Sequence, residues 1–270
     1  MSKKTYSLLA LLLIVKVCNA FTTDTLTLDV KEYLPEPMNI AVITPESKMP
    51  VRGYPVVYLL NGYDGDYTQW GFIRPDLGEL ADAYGMIFVM PSGMDSWYWD
   101  STVNPNMKME SFFTEYLVPY IDINYPTDVR AENRSIMGLS MGGHGALWLA
   151  LRHPDIWKNV GSTSGGVNIL PFPERWKMKN NLGSYESNKE VWENHTVINL
   201  VPTLNAGDNN IIFDCGSGDF FAEVNSQLHN KLLEAKIPHD YISRPGTHSY
   251  QYWANALPYQ LMYFKSKLID

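Results

Sequence analysis

The sequence predicts a three-layer α/β sandwich built on a mostly parallel sheet. From about residue 38 to the end, strand-like and helix-like segments alternate, which is the order found in βαβ units. The segment Val56–Leu60 is an unbroken apolar run, typical of a strand in a sheet that is covered on both faces. Hydrophobic residues make up 45% and charged residues 19% of the 270 residues, which suits one large core. We therefore predict a single domain over residues 21–270.

The predicted elements follow one another along the chain. We predict strands over residues 38–44, 55–60, 86–90, 133–139, 159–164, 211–215 and 239–243. We predict helices over residues 76–84, 109–120, 141–152, 220–235 and 250–267. The segment of about residues 165–208 has no clear period and is rich in Asn and Lys, with Pro and Gly. It predicts a cap or lid insertion with a few helical turns.

Composition excludes several classes of protein. Lys and Arg total 21 against 29 Asp and Glu, a formal charge of −8, so the basic surface that a nucleic-acid partner requires is missing. Two cysteines cannot form a disulfide-rich scaffold. No residue pattern indicates a cofactor or a metal site. Aromatic residues reach 13%, which suits either a surface for sugars and ring-bearing ligands or an ordinary core.

Residues 1–20 predict a signal peptide that is cleaved after Ala20. Two lysines precede a short apolar run, and small residues, Cys18 and Ala20, stand at the −3 and −1 positions. The run is shorter than the ~20 residues of a membrane span, so no stable membrane insertion is expected after cleavage. Lipidation of Cys18 is the alternative, which Lys16 disfavours. We expect a secreted or periplasmic protein in which Cys215 is the remaining cysteine.

The motif with the clearest chemical meaning is Gly-Leu-Ser-Met-Gly at residues 138–142. It lies between a predicted strand and a predicted helix, where a nucleophile elbow requires it. Gly138 and Gly142 would let the two elements approach closely, and the helix N-terminus would direct free amides toward Ser140. Ser140 is therefore the candidate nucleophile.

A serine nucleophile needs a base, and His248 is the candidate. It lies in the loop between the last predicted strand and the last predicted helix, at the carboxyl edge of the sheet where ligands bind. His144 is only one helical turn beyond Ser140 on a rigid helix, so we interpret it as a packing or pocket-wall residue.

Two aspartates compete for the role of the acid. Asp214 is still within a predicted strand, whereas Asp219 follows a Gly-Ser-Gly loop at the strand's carboxyl end. A carboxylate in that loop can accept the imidazole N–H and hold its tautomer, so we prefer Asp219. The alternative role of Asp219 is the N-cap of the following helix.

An oxyanion hole needs two backbone amides. Met141 would provide the amide directly after the nucleophile, and Tyr63, after Gly62, the amide from an early strand's loop. Asp64 and Asp66 lie in the same loop, and we interpret them as solvated residues rather than metal ligands.

Five motifs occur in order and together resemble the putative esterase family of α/β-hydrolases, over roughly residues 38–267. They are residues 59–62 (Leu-Leu-Asn-Gly), 95–98 (Asp-Ser-Trp-Tyr), 138–143 (Gly-Leu-Ser-Met-Gly-Gly), 214–220 (Asp-Cys-Gly-Ser-Gly-Asp-Phe) and 245–248 (Pro-Gly-Thr-His). The family includes tributyrin esterases, feruloyl and acetyl xylan esterases of carbohydrate esterase family 1, S-formylglutathione hydrolases (esterase D) and mycolyltransferases. The resemblance implies an α/β-hydrolase fold, with Ser140 as nucleophile, Asp219 as acid and His248 as base. One departure is Asn61, where many relatives have His.

We therefore expect a secreted serine carboxylesterase that acts on short-chain or carbohydrate-linked acyl or feruloyl esters, with a small molecule or an oligosaccharide ester as its partner. Trp97, Tyr98 and Trp99 are candidates for a substrate-stacking wall, and core packing is the alternative. Other open alternatives are an acyltransferase of the mycolyltransferase type, a thioesterase that resembles S-formylglutathione hydrolase, and a binding protein on an inactive hydrolase fold. Asn133 and Asn194 begin sequons that a eukaryotic secretory pathway could glycosylate.

Overall fold

The computed structural model describes residues 21–270. The predicted signal peptide and Cys18 lie outside the described residues. The strands are β1 (Phe21–Leu28), β2 (Met38–Pro45), β3 (Val56–Leu60), β4 (Ile87–Pro91), β5 (Arg134–Leu139), β6 (Asn159–Thr163), β7 (Asn210–Gly216) and β8 (His239–Arg244). They form one sheet in the order β1-β2-β4-β3-β5-β6-β7-β8. β1 and β2 run antiparallel to their neighbours, and all other pairs are parallel.

Helices cover both faces of this sheet. They are α1 (Gln69–Ile73), α2 (Leu77–Tyr84), α3 (Met109–Ser111), α4 (Val118–Asn124), α5 (Met141–Arg152), α6 (Lys179–Leu182), α7 (Lys189–Asn194), α8 (Ala222–Glu234) and α9 (Tyr250–Lys267). A π-helical turn, Phe112–Leu117, joins α3 to α4. The predicted three-layer sandwich is confirmed.

Alternate side chains of β3 show how the two outer layers are built. Val56, Tyr58 and Leu60 belong to the apolar cluster that includes residues of α5 and α8. Val57 and Leu59 belong to the opposite cluster, with residues of α2 and α9. All five are buried, because a central strand between two helical layers has no solvent face.

One strand was not predicted. β1 precedes residue 38, where the predicted alternation begins, and pairs with the whole length of β2. Most of its side chains are exposed because it is the edge strand, so its sequence lacks an apolar run. The Phe21 ring nevertheless packs against α2 so closely that a Cβ at Gly78 would lie 2.2 Å from it.

The segment between β6 and β7 contains α6, α7 and a 3₁₀ segment, Val197–Thr203.

The two sequons differ in exposure. Asn133 is 3% exposed, and its amide donates to Asp128 and to the Ile269 carbonyl, so a glycan has no room there in the folded chain. Asn194, the last residue of α7, is exposed. Within residues 21–270, no helix combines the length and apolarity needed to cross a membrane.

Candidate active site

Ser140 occupies a strained turn between β5 and α5. Its φ of 55° and ψ of −117° are rare for a residue with a side chain. The turn is tight: a Cβ at Gly138 would lie 2.3 Å from the backbone of Gly142, and a Cβ at Gly142 would lie 2.5 Å from the Leu60 carbonyl oxygen. The Ser140 amide donates to the Thr163 carbonyl, which fixes the turn to β6. Ser140 is thus held at the N-terminus of a twelve-residue helix, where free amides and the helix dipole favour negative charge.

The structure brings Ser140, His248 and Asp219 together. His248 Nε2 lies 2.9 Å from Ser140 Oγ, and His248 Nδ1 lies 2.9 Å from Asp219 Oδ2. A carboxylate can only accept, so Nδ1 of the neutral ring carries the proton and Nε2 accepts from the serine hydroxyl. The Asp219 side chain is fully buried, whereas that of His248 is 17% exposed. Substrate can therefore reach the imidazole while the carboxylate stays away from water.

Two loops at the carboxyl edge of the sheet hold this arrangement. Asp219 follows β7, and His248 lies between β8 and α9. The Gly218 amide donates to the Gly246 carbonyl, and a Cβ at Gly216 would lie 2.5 Å from that same oxygen. Asp219 Oδ1 also accepts from the Phe221 amide at 2.8 Å. This second bond fixes the carboxylate before α8 begins at Ala222, so Asp219 is not the residue that directly precedes the helix.

Asp214 lies within β7, as predicted, and does not contact His248 within hydrogen-bond distance. Its carboxylate accepts from the Thr163 hydroxyl at 2.8 Å and from the Gln260 amide at 2.7 Å. Arg244 approaches it to 3.5 Å. Burial raises the pKa of Asp214 above its ordinary value, and these polar neighbours oppose the shift.

The loop after β3 lies beside the serine. A Cβ at Gly62 would lie 3.4 Å from Ser140 Cβ, and the Gly62 amide donates to Gln69 Oε1. The buried Asn61 side chain holds this loop, because its Oδ1 accepts from the Gly93 amide at 2.7 Å and its Nδ2 donates to the Gly62 carbonyl. An amide side chain can thus secure the loop at the position where many relatives have His.

Of the two amides predicted for an oxyanion hole, that of Met141 directly follows Ser140, and that of Tyr63 follows Gly62 in the loop beside the serine. Among residues 21–270, neither the Tyr63 nor the Met141 amide donates a hydrogen bond. Two free donors next to a serine are what an oxyanion would need.

The predicted stacking wall lies in the interior. Trp97 is 1% exposed, and Tyr98 and Trp99 are wholly buried. Trp97 stacks on Trp99, and the Tyr98 hydroxyl donates to the Asn61 carbonyl. These side chains support the site from behind and offer no stacking surface in this structure, as the core-packing alternative expects.

The exposed aromatic surface at the site was missed by sequence reasoning. The Phe220 ring is centred 4.3 Å from that of His248, and Trp176 stacks on Phe220 at 5.8 Å with an interplanar angle of 23°. Phe220 is 52% exposed and Trp176 is half-buried. Phe220 directly follows Asp219, which was the available signal. Nothing in the aperiodic segment of residues 165–208 distinguished Trp176.

His144 is a packing residue. Its ring is buried between the rings of Trp99 and Trp148, and Nδ1 lies 3.1 Å from the Gly166 carbonyl oxygen, so it donates there. Burial lowers the pKa of His144 to about 3, which leaves the ring neutral.

Within the described residues, no three His, Cys, Asp or Glu side chains are grouped as metal ligands would be.

The family assignment follows from the sequence model described as "Putative esterase", which matches residues 31–264. The chain belongs to this esterase family. It has the α/β-hydrolase fold and is a carboxylic ester hydrolase.

Individual relatives agree with this assignment. S-formylglutathione hydrolase of Bos taurus is 29% identical over 244 residues, covering 80% of this chain and 84% of the relative. Acetyl esterase of Caldicellulosiruptor saccharolyticus is 26% identical over 215 residues, covering 73% of this chain and 78% of the relative. A solved ferulic acid esterase superposes with a TM-score of 0.74 at 26% identity, covering 92% of this chain and all of that one.

Proposed function

We propose that this chain is a secreted serine carboxylesterase in which Ser140 is the nucleophile, His248 the general base and Asp219 the acid that orients it. The observation that carries the proposal is the continuous line of hydrogen bonds from Asp219 through His248 to the Ser140 hydroxyl. Each of the three residues lies in a different loop at the carboxyl edge of the sheet, where such folds bind ligands. Secretion is inferred from residues 1–20 of the sequence alone.

The first half of the reaction forms an acyl-enzyme. His248 Nε2 removes the hydroxyl proton as Ser140 Oγ attacks the ester carbonyl carbon. The tetrahedral intermediate then collapses, the carbon–oxygen bond to the alcohol breaks, and the imidazolium returns the proton to the leaving alcohol. Asp219 stabilises the imidazolium through its bond to Nδ1.

The second half repeats these steps with water. His248 deprotonates a water molecule, which attacks the acyl-enzyme carbonyl, and Ser140 leaves with the proton. In both halves the amides of Tyr63 and Met141 would bind the oxyanion. Because they belong to two loops already fixed by glycine contacts and side-chain bonds, they need little reorganisation during the reaction.

The substrate class we propose is a short-chain ester or a carbohydrate-linked acyl or feruloyl ester. The exposed aromatic surface of Phe220 and Trp176 beside His248 supports a ring-bearing substrate. The names of the acetyl esterase and the ferulic acid esterase among its relatives support the same classes. Trp176 belongs to the segment of residues 165–208 and stacks on Phe220 beside His248. This contact supports our proposal that the segment is the lid of the substrate pocket.

The test is a substrate screen with purified protein that lacks residues 1–20. The esters are p-nitrophenyl acetate, butyrate and octanoate, methyl ferulate and acetylated xylan, each compared with the Ser140→Ala variant. We expect hydrolysis of at least one ester by the wild type and background rates for the variant. Equal rates for both proteins would contradict the proposal.

Product analysis separates hydrolysis from acyl transfer. The acyl-enzyme would react with a sugar hydroxyl instead of water in an acyltransferase, so each reaction is repeated with and without a carbohydrate acceptor. Free acid as the dominant product in both cases supports an esterase. S-formylglutathione, assayed in parallel, tests the thioesterase alternative.

A further inference from the structure

Residues with left-handed backbone conformation are concentrated in the connections at the carboxyl edge of the sheet, the edge that carries the candidate active site. Nine non-glycine residues among the described ones have positive φ: Asp64, Met94, Trp97, Tyr98, Ser140, Ser164, Trp176, Lys177 and Lys236. All but Lys236 follow the carboxyl ends of β3, β4, β5 or β6. Such backbone conformations persist only where the surrounding contacts determine them, and they cluster at ligand sites.

Trp176 and Lys177 form one of two consecutive pairs, with φ of 48° and 52°. The Trp176 ring contacts Phe220 and Phe221, with centroids at 5.8 and 5.3 Å. Its carbonyl accepts from Trp97 Nε1 at 3.4 Å. These contacts fix the pair to both the Asp219 loop and the loop after β4.

The Lys177 side chain contacts the loops that follow β3 and β4. Its ammonium donates to Asp95 Oδ2 at 2.8 Å and lies 5.8 Å from the centre of the Tyr63 ring. Tyr63 is also the residue whose amide is the proposed oxyanion donor. Trp176 and Lys177, here named the strap, therefore connect the His248 side of the site with the oxyanion side.

The strap leaves apolar surface open next to the reacting atoms. Trp97, with the same backbone conformation, is buried, but Trp176 is half-buried and Phe220 is 52% exposed. The stacked rings of Trp176 and Phe220 thus present an aromatic face to solvent beside the His248 imidazole. Core packing does not account for aromatic surface that stays open to solvent. A flat ring in the substrate can stack on such a pair, whereas a linear chain of equal carbon number makes fewer simultaneous contacts.

We propose that the strap determines specificity: Trp176 selects esters that carry a ring, and the contacts of Lys177 with Asp95 and Tyr63 hold Trp176 in place. This inference rests on the proposed function of Ser140, His248 and Asp219 and adds the residues that choose the substrate. The ring can belong to the acyl group or to the alcohol. In each case it would lie against the face formed by Trp176 and Phe220.

The experiment measures ratios of kcat/KM for ester pairs of equal carbon number. Benzyl acetate over heptyl acetate reports on a ring in the alcohol, and methyl 3-phenylpropanoate over methyl nonanoate reports on a ring in the acyl group. For Trp176→Ala we expect at least one ratio to fall by roughly three- to tenfold, the range for loss of one aromatic stacking partner. Trp176→Phe should retain most of the wild-type ratio. Lys177→Met should lower the same ratio, but by less than Trp176→Ala does.

Matched controls come from the same segment. The Tyr185 ring packs against Trp192, with Lys189 5.9 Å from the ring centre, so this pair resembles the strap but has no contact with Phe220 or His248. Tyr185→Ala and Lys189→Met should leave both ratios unchanged. Unchanged ratios in Trp176→Ala, with or without an equal loss of rate on both esters of a pair, would overturn the proposal. The same change of ratio in Tyr185→Ala would also overturn it.

Labelling of Ser140 with a short-chain fluorophosphonate separates this proposal from the proposed function. Labelling of the wild type and of Trp176→Ala with unchanged ratios means that the strap proposal alone has failed. A wild type that is neither labelled at Ser140 nor active on any of the four esters means that the proposed function has failed, and the strap proposal with it.

Discussion

Two carboxylates near the end of β7 have opposite surroundings. Asp219, beyond the strand, accepts from an imidazole whose other nitrogen faces a hydroxyl. Asp214, inside the strand, accepts from the Thr163 hydroxyl and the Gln260 amide and contacts neither His248 nor Ser140. Both are buried. The difference is that only the partner of Asp219 can carry a proton to a reacting atom, so burial alone does not identify the acid.

Asp214 belongs to a buried hydrogen-bond network that holds together the elements next to the site. Gln260 of α9 donates both to Asp214 and to the Ser162 carbonyl of β6, and the Ser164 amide donates to the Asp214 carbonyl. These bonds connect β6, β7 and α9 to one another near the end of β7, the strand that precedes the Asp219 loop. We therefore expect changes at Asp214 to act on stability and changes at Asp219 to act on turnover.

The largest expected effect belongs to the nucleophile. Ser140→Ala should lower kcat by ~10⁴-fold or more, because the three residues act as a unit. The matched control is Ser217→Ala, an exposed serine in the Gly-Ser-Gly loop, which should retain normal turnover. Retention of a tenth of the wild-type kcat in Ser140→Ala would reject this nucleophile.

The second effect compares the two carboxylates directly. In Asp219→Asn the remaining oxygen can still accept from the Phe221 amide, so the loop should keep its shape. The new NH₂ group would face His248 Nδ1 and favour the wrong tautomer, which costs up to ~10⁴-fold in kcat in the serine-protease precedent.

In Asp214→Asn, one hydrogen bond to Gln260 or Thr163 is lost in a buried position. The free energy of unfolding should fall by about 1–3 kcal/mol, with a much smaller loss of kcat than in Asp219→Asn. Urea unfolding and kcat on one soluble ester are measured for both variants. If Asp214→Asn is folded but inactive while Asp219→Asn turns over normally, the acid has been misassigned.

The third effect is on pH dependence. A histidine base must be neutral to accept the Ser140 proton, so kcat/KM should decline toward acidic pH, by about tenfold per pH unit once the base is protonated. The measurement is kcat/KM for a non-ionising ester between pH 4 and 9. A flat profile down to pH 4 would exclude a histidine base.

The smallest effect is on stability and comes from His144. Its folded-state pKa of about 3 lies below the ordinary 6.5, so below pH 6.5 the unfolded chain binds a proton that the folded chain excludes. Stability is therefore lost as pH falls. Between pH 6.5 and 5 this group accounts for up to about 2 kcal/mol, a difference that His144→Gln should remove. Urea unfolding at both pH values checks this, and equal pH slopes for wild type and variant would contradict it.

The sequence was sufficient for elements whose local pattern and global position agree. The apolar run of β3 predicted a covered strand, and the glycines around Ser140 predicted the tight turn that the backbone contacts require. The edge strand β1 and the half-buried Trp176 were not predictable, because partial exposure removes the pattern on which such predictions depend. Trp97 and Tyr98 show the converse, since aromatic content says nothing about which rings face the substrate.

The most direct test of the central claim is the covalent labelling of one serine. Wild-type protein is incubated with a fluorophosphonate, digested, and the modified peptide is identified by mass spectrometry. We expect stoichiometric modification of Ser140, much slower labelling in His248→Gln, and none at that position in Ser140→Ala. An unlabelled wild type, or a label on another residue that accounts for the loss of activity, would contradict the assignment of Ser140, His248 and Asp219 as the catalytic group.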